Sequence, residues 1–385
     1  MFTNKKTSWI FFLFIALFIL HISPATYINT NFLNQFFDFK YVGLIYIIAS
    51  IATIFIVLGL RDKLRKFGNY KIFTWVLLFE ALVLITLILS QSAFVAVISI
   101  IGLFITYTIT FICLDIFLEK YTFNNDTGKI RGYYLTSINS ALIVGPFISS
   151  ILLINENFKN VYVFMLFLLL PILFLSRELF KNFEDEPYDQ IKIITGFKKL
   201  KKDQDIYSTV MSSFILQFFY AWMIIYFPIY LVQEIGFSLS EVTLIMSIAL
   251  IPFVLIQSTA GKLADKKYGE KEMLVIGFIV LSLFTGLISF INIPNISIWI
   301  AVLFMTRVGA SMIEIMTETH IFKRIDGGDI NTISVFRILN PTALIAGSFV
   351  GSLFLHIVSF NMLFLILSGI TLYGLRYAFA IVDTK

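Results

Sequence analysis

Hydrophobic stretches long enough to cross a membrane follow one another along almost the whole chain. A transmembrane helix needs about 20 mostly apolar residues, because the hydrocarbon core of a bilayer is roughly 30 Å thick. Six such stretches precede a charged segment, and six follow it. The pattern therefore predicts twelve transmembrane helices. They cover residues 8–27, 41–60, 72–90, 93–118, 132–154, 161–178, 207–231, 242–260, 274–292, 297–318, 332–356 and 361–380.

These stretches are expected to be helices, because unsatisfied backbone groups are costly in lipid and the alternating pattern of a membrane barrel is absent. The charged segment between the two groups carries both signs of charge and is the only long hydrophilic part of the chain. The predicted organisation is a six-helix bundle at residues 1–176, a cytoplasmic linker at 177–206 and a second six-helix bundle at 207–385. This is an all-α membrane protein.

Composition supports lipid as the solvent for much of the surface. Hydrophobic residues make up 58% of the chain and charged residues only 14%, whereas soluble proteins carry about 25% charged residues. The net charge of +5 would suggest nucleic acid in a soluble protein, but here the charges fall in the connections between spans. The single cysteine, Cys113, excludes an intramolecular disulfide.

The distribution of Lys and Arg predicts the orientation. With a cytoplasmic N-terminus, 25 of the 29 basic residues lie in cytoplasmic segments and only Lys40 and Lys159 lie outside. Cytoplasmic loops are enriched in basic residues, so both termini are expected in the cytoplasm. An alternative is that the first apolar stretch, which ends near Ser23-Pro24-Ala25, is a cleavable signal peptide. Cleavage would put the basic loops on the wrong side of the membrane.

A nine-residue loop between the predicted eighth and ninth spans carries the strongest local signal. It reads Gly-Lys-Leu-Ala-Asp-Lys-Lys-Tyr-Gly from Gly261 to Gly269, with Asp265 four residues after the first glycine. Glycine permits close helix approach or a positive φ, and a carboxylate can cap a neighbouring helix N-terminus. The loop resembles the signature loop of the major facilitator superfamily. The resemblance implies a 6+6 pseudo-symmetric fold, and residues 59–68, which contain Asp62, are a degenerate copy in the first half.

A second match to the same family, from the fourth into the fifth span, consists of Asp115, then Arg131-Gly132, then Gly145-Pro146. Proton-driven exporters elaborate this region into a glycine-rich motif, which this chain has only in part. The resemblance also implies a gate of charged pairs on the cytoplasmic side. In this gate Glu314 or Glu318 would meet Arg131, and Asp115 would meet Arg337. The predicted gating and motif residues are Asp62, Asp115, Arg131, Gly145, Pro146, Gly261, Asp265, Gly269, Glu318 and Arg337.

Ionisable residues within spans are expensive and usually face a cavity or a partner. Arg307, Ser311, Glu314 and Glu318 lie at helical spacing and share one face of the tenth span. By the resemblance, spans one, four, seven and ten line the central cavity. Arg307 would then lie near the midplane, where it could bind an anionic or polar substrate group through two hydrogen bonds. For Arg307 and Glu314, an internal charge pair is the open alternative.

Glu80, in the middle of the third span, is the other notable acid. In the family this span tends to be peripheral, and a charged Glu facing lipid is untenable. Glu80 is therefore expected either to turn inward to a hydrogen-bond partner or to stay protonated, which would make it a candidate for proton coupling, as is Glu314. His21, placed towards the outer end of span one, is interpreted as a hydrogen-bonded helix residue. The first span lacks an acid and the fourth lacks arginine, so facilitated diffusion or another ion stays open.

Four further residues are candidates only because they lie near the midplane of the membrane: Tyr107 on the fourth span and Gln217, Tyr220 and Trp222 on the seventh. Aromatic residues at this depth often only pack. The candidate substrate-binding residues are Arg307, Glu314, Tyr107, Gln217, Tyr220 and Trp222.

The predicted function is secondary transport of a small solute across the cytoplasmic (inner) membrane by alternating access, with proton-coupled efflux as one form of it. The alternatives are a lipid or lysolipid translocator and a transporter-fold receptor or scaffold. An enzyme is disfavoured, because the sequence has no metal-binding cluster, no nucleophile–base arrangement and no phosphate loop. We expect a monomer that contacts its substrate and membrane lipid, with no cofactor, no metal and no nucleic acid.

Overall fold

The computed structural model describes residues 5–90, 92–121, 127–153, 157–185, 203–263, 269–324 and 330–383. Side chains are described within these ranges except at 5–9, 118–121, 127–136, 257–258, 261–263, 322–324 and 330–338. The described backbone consists of helices and short turns, which confirms the predicted all-α fold class.

The chain forms two compact units. The first comprises Met1–Asp189 and Ser238–Ser247, and the second comprises Gln190–Phe237 and Ile248–Lys385. The helices of the first unit are α1 (Lys5–Ile22), α2 (Asn29–Asn34), α3 (Phe39–Phe67), α4 (Asn69–Leu89), α5 (Ala93–Tyr121), α6 (Thr127–Leu152) and α7 (Phe158–Phe180). The second unit contains α8 (Gln204–Ile225), α9 (Phe227–Tyr230), α11 (Ile251–Leu263), α12 (Glu270–Ile288), α13 (Ile296–Arg324), α14 (Ile330–Leu355) and α15 (Phe360–Ala380). Most of α10 (Leu239–Ala249) belongs to the first unit.

Ten stretches of the described chain are long and apolar enough to cross a membrane, and two shorter apolar helices cover Ser137–Leu152 and Leu339–Leu355. The outward faces of several helices carry large apolar side chains. Phe55, Leu89 and Phe94, for example, are 71%, 71% and 72% exposed. Surfaces of this kind are stable against lipid, which confirms the reading of the composition.

The first span is broken and extends further than its hydropathy predicts. Helix α1 passes into a 3₁₀ turn at Ser23–Ala25, where Pro24 lacks the N–H that an α-helix would require, and the span continues to the end of α2. The predicted end at residue 27 is therefore too early. The polar residues Asn29, Thr30 and Asn31 beyond it are buried in the unit, and Asn29 accepts a hydrogen bond from the Tyr162 hydroxyl at 3.0 Å. As a consequence, His21 lies near the middle of the span Ile10–Asn34 and not towards its outer end.

In the first unit, α1 packs against α6 and α7, and α4 packs against α5 and α7. Gly145 of α6 allows the closest of these approaches, because a Cβ at this position would collide with Ser23. Pro146 lies inside the same helix. Ser149, one turn further on, donates a hydrogen bond to the Pro24 carbonyl at 2.7 Å. The broken first span is thus fixed against α6 by close packing and a buried hydrogen bond.

The second unit is built around α13, which packs against α12, α11 and α8. Gly277 of α12 and Gly309 of α13 face each other, and a Cβ at Gly309 would lie 2.6 Å from the Gly277 carbonyl oxygen. Small residues at a helix crossing let the backbones approach closely in a membrane protein. This contact fixes which face of α13 is turned towards α12, and therefore which residues point elsewhere.

Candidate functional site

A buried acid–base pair lies in the first unit, near the middle of its spans. His21 of α1 and Glu80 of α4 are both 0% exposed, and Nε2 of the histidine lies 2.7 Å from Oε1 of the carboxyl group. The other ring nitrogen, Nδ1, lies 2.7 Å from the main-chain oxygen of Met165 in α7. The pair therefore joins three helices of the unit. Glu80 turns inward to a partner, which is one of the two outcomes expected for it.

The tautomer of His21 follows from its partners. A carbonyl oxygen can only accept a hydrogen bond, so Nδ1 must carry a proton and donate it to Met165. The short Nε2–Oε1 contact then holds one proton, either on the imidazole or on the carboxyl group. In both forms the pair as a whole is electrically neutral.

Two buried polar atoms beside this pair have no hydrogen-bond partner among the described residues. They are Oε2 of Glu80 and the hydroxyl of Tyr107 on α5. Tyr107 is close enough to Glu80 for their charges to interact. A buried polar group without a partner costs about 1–3 kcal/mol, so a proton or a water molecule would be stabilised at each of these atoms.

The surroundings of the pair contain few other titratable groups among the residues whose side chains are described. Tyr107 on α5 is linked electrostatically to Glu80 and to Tyr162 on α7, and Tyr162 is linked in turn to Tyr46 on α3. Tyr162 and Tyr46 are buried.

Arg307, on α13, is the corresponding feature of the second unit. It lies near the middle of the span Ile296–Ile321 and is only 2% exposed. Its Nε and Nη1 atoms have no hydrogen-bond partner among the described residues. The guanidinium carbon lies 5.2 Å from the centre of the Phe219 ring on α8. A cation–π contact contributes about 0.5–2 kcal/mol, whereas burying a charge costs several kcal/mol, so Phe219 alone does not offset the burial.

The remaining predicted substrate residues take several positions. Trp222 is fully buried and donates its ring N–H to the Gly347 carbonyl of α14 at 2.7 Å, whereas Gln217 accepts from Asn340 at 3.1 Å. Tyr220 is half-buried, with its ring 6.2 Å from that of Phe253. Glu314 and Glu318 are half-buried, further along α13 than Arg307. These residues therefore lie on two helices, α8 and α13.

The predicted loop motif has a clear structural role at its last glycine. Gly269 has a φ of 95°, and Gly68, its counterpart in the first half, has a φ of 82°. After each glycine a helix begins whose N-terminus is capped by a distant aspartate. The main-chain N–H of Asn69 donates to Asp185 at 2.9 Å, and the main-chain N–H of Lys271 donates to Asp383 at 2.9 Å. The two halves thus share one local device, a left-handed glycine and a carboxylate cap.

Other motif residues divide into two groups. Asp62 is exposed and Asp115 is half-buried. The side chains of Arg131 and Arg337, loop residues 264–268 with Asp265, and most of the predicted linker lie outside what the structure describes, whereas Gly261 lies in α11. The gate of charged pairs therefore stays a prediction.

Sequence reasoning missed the partnership of His21 with Glu80 and the two aspartate caps. The pair joins residues 59 apart, so no local spacing reveals it. A usable signal did exist, because each residue is the only ionisable group in the middle of its span, and two such groups in one bundle stabilise each other best by pairing. The loop motif suggested Asp62 and Asp265 as the helix caps. The caps are instead Asp185 and Asp383, which follow the sixth and twelfth spans.

Long apolar helices arranged in two units, with buried ionisable groups at mid-span, define a polytopic membrane protein. Residues 121–327 and 209–384 match the Major Facilitator Superfamily, and the chain belongs to this family. No curated protein matches the chain.

Solved structures of transporters share the fold. A mutant of the nucleoside transporter NupG is 15% identical, with a TM-score of 0.76 over 97% of this chain and 99% of that one. A bacterial homologue of the iron transporter ferroportin, in an inward-facing state, is 11% identical, with a TM-score of 0.76 over 98% and 97%. A bacterial homologue of the human lysosomal transporter Spinster is 10% identical, with a TM-score of 0.68 over 98% and 93%. At such identities these likenesses concern the fold alone.

Proposed function

We propose that this protein is a proton-coupled secondary transporter that moves a small solute across the membrane by alternating access. Its family and fold support transport of a solute. The observation that carries the proton coupling is the fully buried pair of His21 and Glu80. This pair is the chemical basis for binding and releasing a proton within the first unit.

The geometry of the pair determines where an additional proton would be held. Nδ1 and the Nε2–Oε1 contact are already occupied by hydrogen bonds, so the free position is Oε2 of Glu80. A proton on Oε2 leaves both existing bonds in place, since a protonated imidazole still donates to Oε1. It also turns Oε2 from an acceptor into a donor. Uptake of the proton changes the pair from neutral to a net positive charge.

This charge change supplies the coupling. A net charge in an enclosed apolar site costs several kcal/mol, and a conformational change that opens the site to water relieves that cost. The same residues link α1, α4 and α7, so the energetic consequence of protonation acts on the packing of three helices at once. Alternating access driven by a proton requires that protonation change the relative stability of the inward-facing and outward-facing states.

The test is solute-dependent proton movement in proteoliposomes that contain the pH dye pyranine. A thermal-shift screen of sugars, nucleosides, amino acids, organic anions and drugs first identifies a solute that stabilises the purified protein. Wild type is expected to change the internal pH when that solute is added to one side, and the sign of the change gives the direction of transport. Glu80→Gln keeps the size and a hydrogen bond of the side chain, so it is expected to exchange solute without moving protons.

Glu234→Gln is the matched control, because Glu234 is an exposed carboxylate outside the pair. It is expected to behave like wild type. Proton movement at the wild-type rate in Glu80→Gln would reject the pair as the coupling site. Absence of any solute transport by wild type would reject the transporter function and favour a lipid translocator or a scaffold.

We also propose that the protein is a monomer of the cytoplasmic membrane with both termini in the cytoplasm, which the distribution of basic residues supports. Cys113 is the single cysteine and is buried, so a Cys113→Ser background allows labelling of introduced thiols. Asp62→Cys is expected to react only from the cytoplasmic side, and Lys159→Cys only from the opposite side. Both positions are exposed. The reverse labelling pattern would overturn this orientation.

A further inference from the structure

Arg307 is a cation held inside the second unit with part of its hydrogen-bonding capacity unused. It is 2% exposed, and neither Nε nor Nη1 has a hydrogen-bond partner among the described residues. Within that part of the chain, no carboxylate forms an ion pair with it. Arginine cannot lose its charge in a protein, so the site does not relax by deprotonation.

The packing of α13 explains why this side chain stays inside the unit. Gly309 faces Gly277 of α12 at a close crossing. Arg307 precedes Gly309 by two residues, which is a rotation of about 200° around the helix, so it points away from α12. Its guanidinium group lies over the ring of Phe219 on α8. Rotation of the helix to release the arginine would break the contact between the two glycines.

The contact with Phe219 leaves the hydrogen-bonding edges of the guanidinium group available. The N–H groups lie in the plane of the guanidinium, whereas an aromatic ring interacts with its face. The atoms without partners, Nε and Nη1, lie on different edges of that plane. A planar cation with free edges is the arrangement that binds an oxyanion through paired hydrogen bonds.

We propose that Arg307 is a binding site for an oxyanion group and that the transported solute is a small organic monoanion. This assignment of substrate class rests on the proposed transport function. One negative charge neutralises the guanidinium, whereas a dianion would leave an uncompensated charge in the same apolar surroundings. Phe219, which covers the cation, presents an apolar surface beside the site and favours a solute whose remaining part is apolar.

The experiment measures binding of defined anions to the purified full-length protein by thermal shift and titration calorimetry. The probes are sodium formate, acetate and benzoate, each at the same ionic strength, with formamide, acetamide and benzamide as neutral counterparts of similar shape. At least one anion is expected to raise the melting temperature, whereas its amide leaves the melting temperature unchanged. A shift produced equally by the anion and its amide would overturn the proposal.

Variants separate this site from general effects of the anion. Arg307→Gln is expected to weaken binding by at least about tenfold, because hydrogen bonds to a charged group are lost. Arg307→Lys keeps the charge without the planar fork and is expected to give an intermediate affinity. The matched control is Arg376→Gln, since Arg376 also lies over an aromatic ring, that of Tyr373 at 5.7 Å, but is exposed. It is expected to bind the anion as wild type does.

The outcomes for binding and transport are distinguishable. Anion binding that survives in Arg307→Gln, or an absence of binding to wild type by every anion tested, overturns the site. Binding that depends on Arg307 in a protein that transports nothing supports the site and rejects the proposed function. Transport of a neutral solute by Arg307→Gln at the wild-type rate supports the function and rejects a monoanion as the substrate class.

Discussion

The pairing of His21 with Glu80 makes a quantitative prediction about stability. His21→Leu leaves both carboxyl oxygens of Glu80 without a donor and removes the bond to Met165. Removing one member of a buried charged pair costs about 3–5 kcal/mol, because the other charge stays buried. Glu80→Leu leaves only Nε2 of a neutral imidazole without a partner, which costs about 1–3 kcal/mol.

The double variant His21→Leu/Glu80→Leu leaves neither residual group, so its loss of stability is expected to be smaller than the sum of the single losses. The difference, the coupling energy, is expected to be about 1–3 kcal/mol. Unfolding in mixed micelles, followed by the fluorescence of the four tryptophans, measures all three losses. A control cycle that combines His21→Leu with Glu234→Leu is expected to be additive within about 0.5 kcal/mol, because Glu234 is exposed and outside the pair. Additivity in the first cycle as well would refute the pairing.

Three further substitutions test other features of the structure. Arg307→Met removes an unpaired buried charge and loses one cation–π contact. Without ligand, its free energy of unfolding is expected to exceed that of wild type by about 1–3 kcal/mol. A variant less stable than wild type would indicate a partner for Arg307. Gly269→Ala puts a Cβ at a φ of 95°, 2.5 Å from Oδ2 of Asp383, and is expected to lower the melting temperature by an amount equivalent to at least about 1–2 kcal/mol. Gly59→Ala, whose Cβ meets nothing within 4 Å, is the control and is expected to be neutral or stabilising. Equal effects of the two substitutions would exclude backbone strain at Gly269. Trp222→Phe removes the donor to the Gly347 carbonyl and is expected to cost about 1–2 kcal/mol in the same unfolding assay, with no effect if that bond does not form.

The helices could be predicted because a segment that crosses lipid must satisfy its own backbone hydrogen bonds, which leaves few structures other than a helix. Each such segment is visible in the sequence as a run of apolar residues. The first span shows the limit of this signal. Its predicted end at residue 27 is wrong because α2 begins with polar residues, and Asn29 is satisfied by Tyr162, more than 130 residues away. Hydropathy counts such a residue as solvent-facing, although a tertiary hydrogen bond keeps it inside.

The candidate sites show the same division between local and tertiary information. The sequence identifies Glu80 and Arg307 as ionisable groups at mid-span, since charge in an apolar run is a local property. Whether each group has a partner depends on which helices meet, and the two residues differ completely in this respect. Glu80 has His21 at 2.7 Å, whereas the Nε and Nη1 atoms of Arg307 have no hydrogen-bond partner among the described residues.

The two halves share one structural device but differ in the ionisable groups at mid-span. The third span of each half, α4 and α12, begins after a glycine with positive φ. Its N-terminus is capped by an aspartate that follows the sixth span of that half, Asp185 for α4 and Asp383 for α12. The ionisable groups at mid-span differ: the first unit holds the pair of His21 and Glu80, and the second holds Arg307, a cation that cannot titrate. A proton site must change its charge and an anion site must keep it, so this difference is consistent with the proposed roles of the first unit in proton binding and of the second in holding the solute.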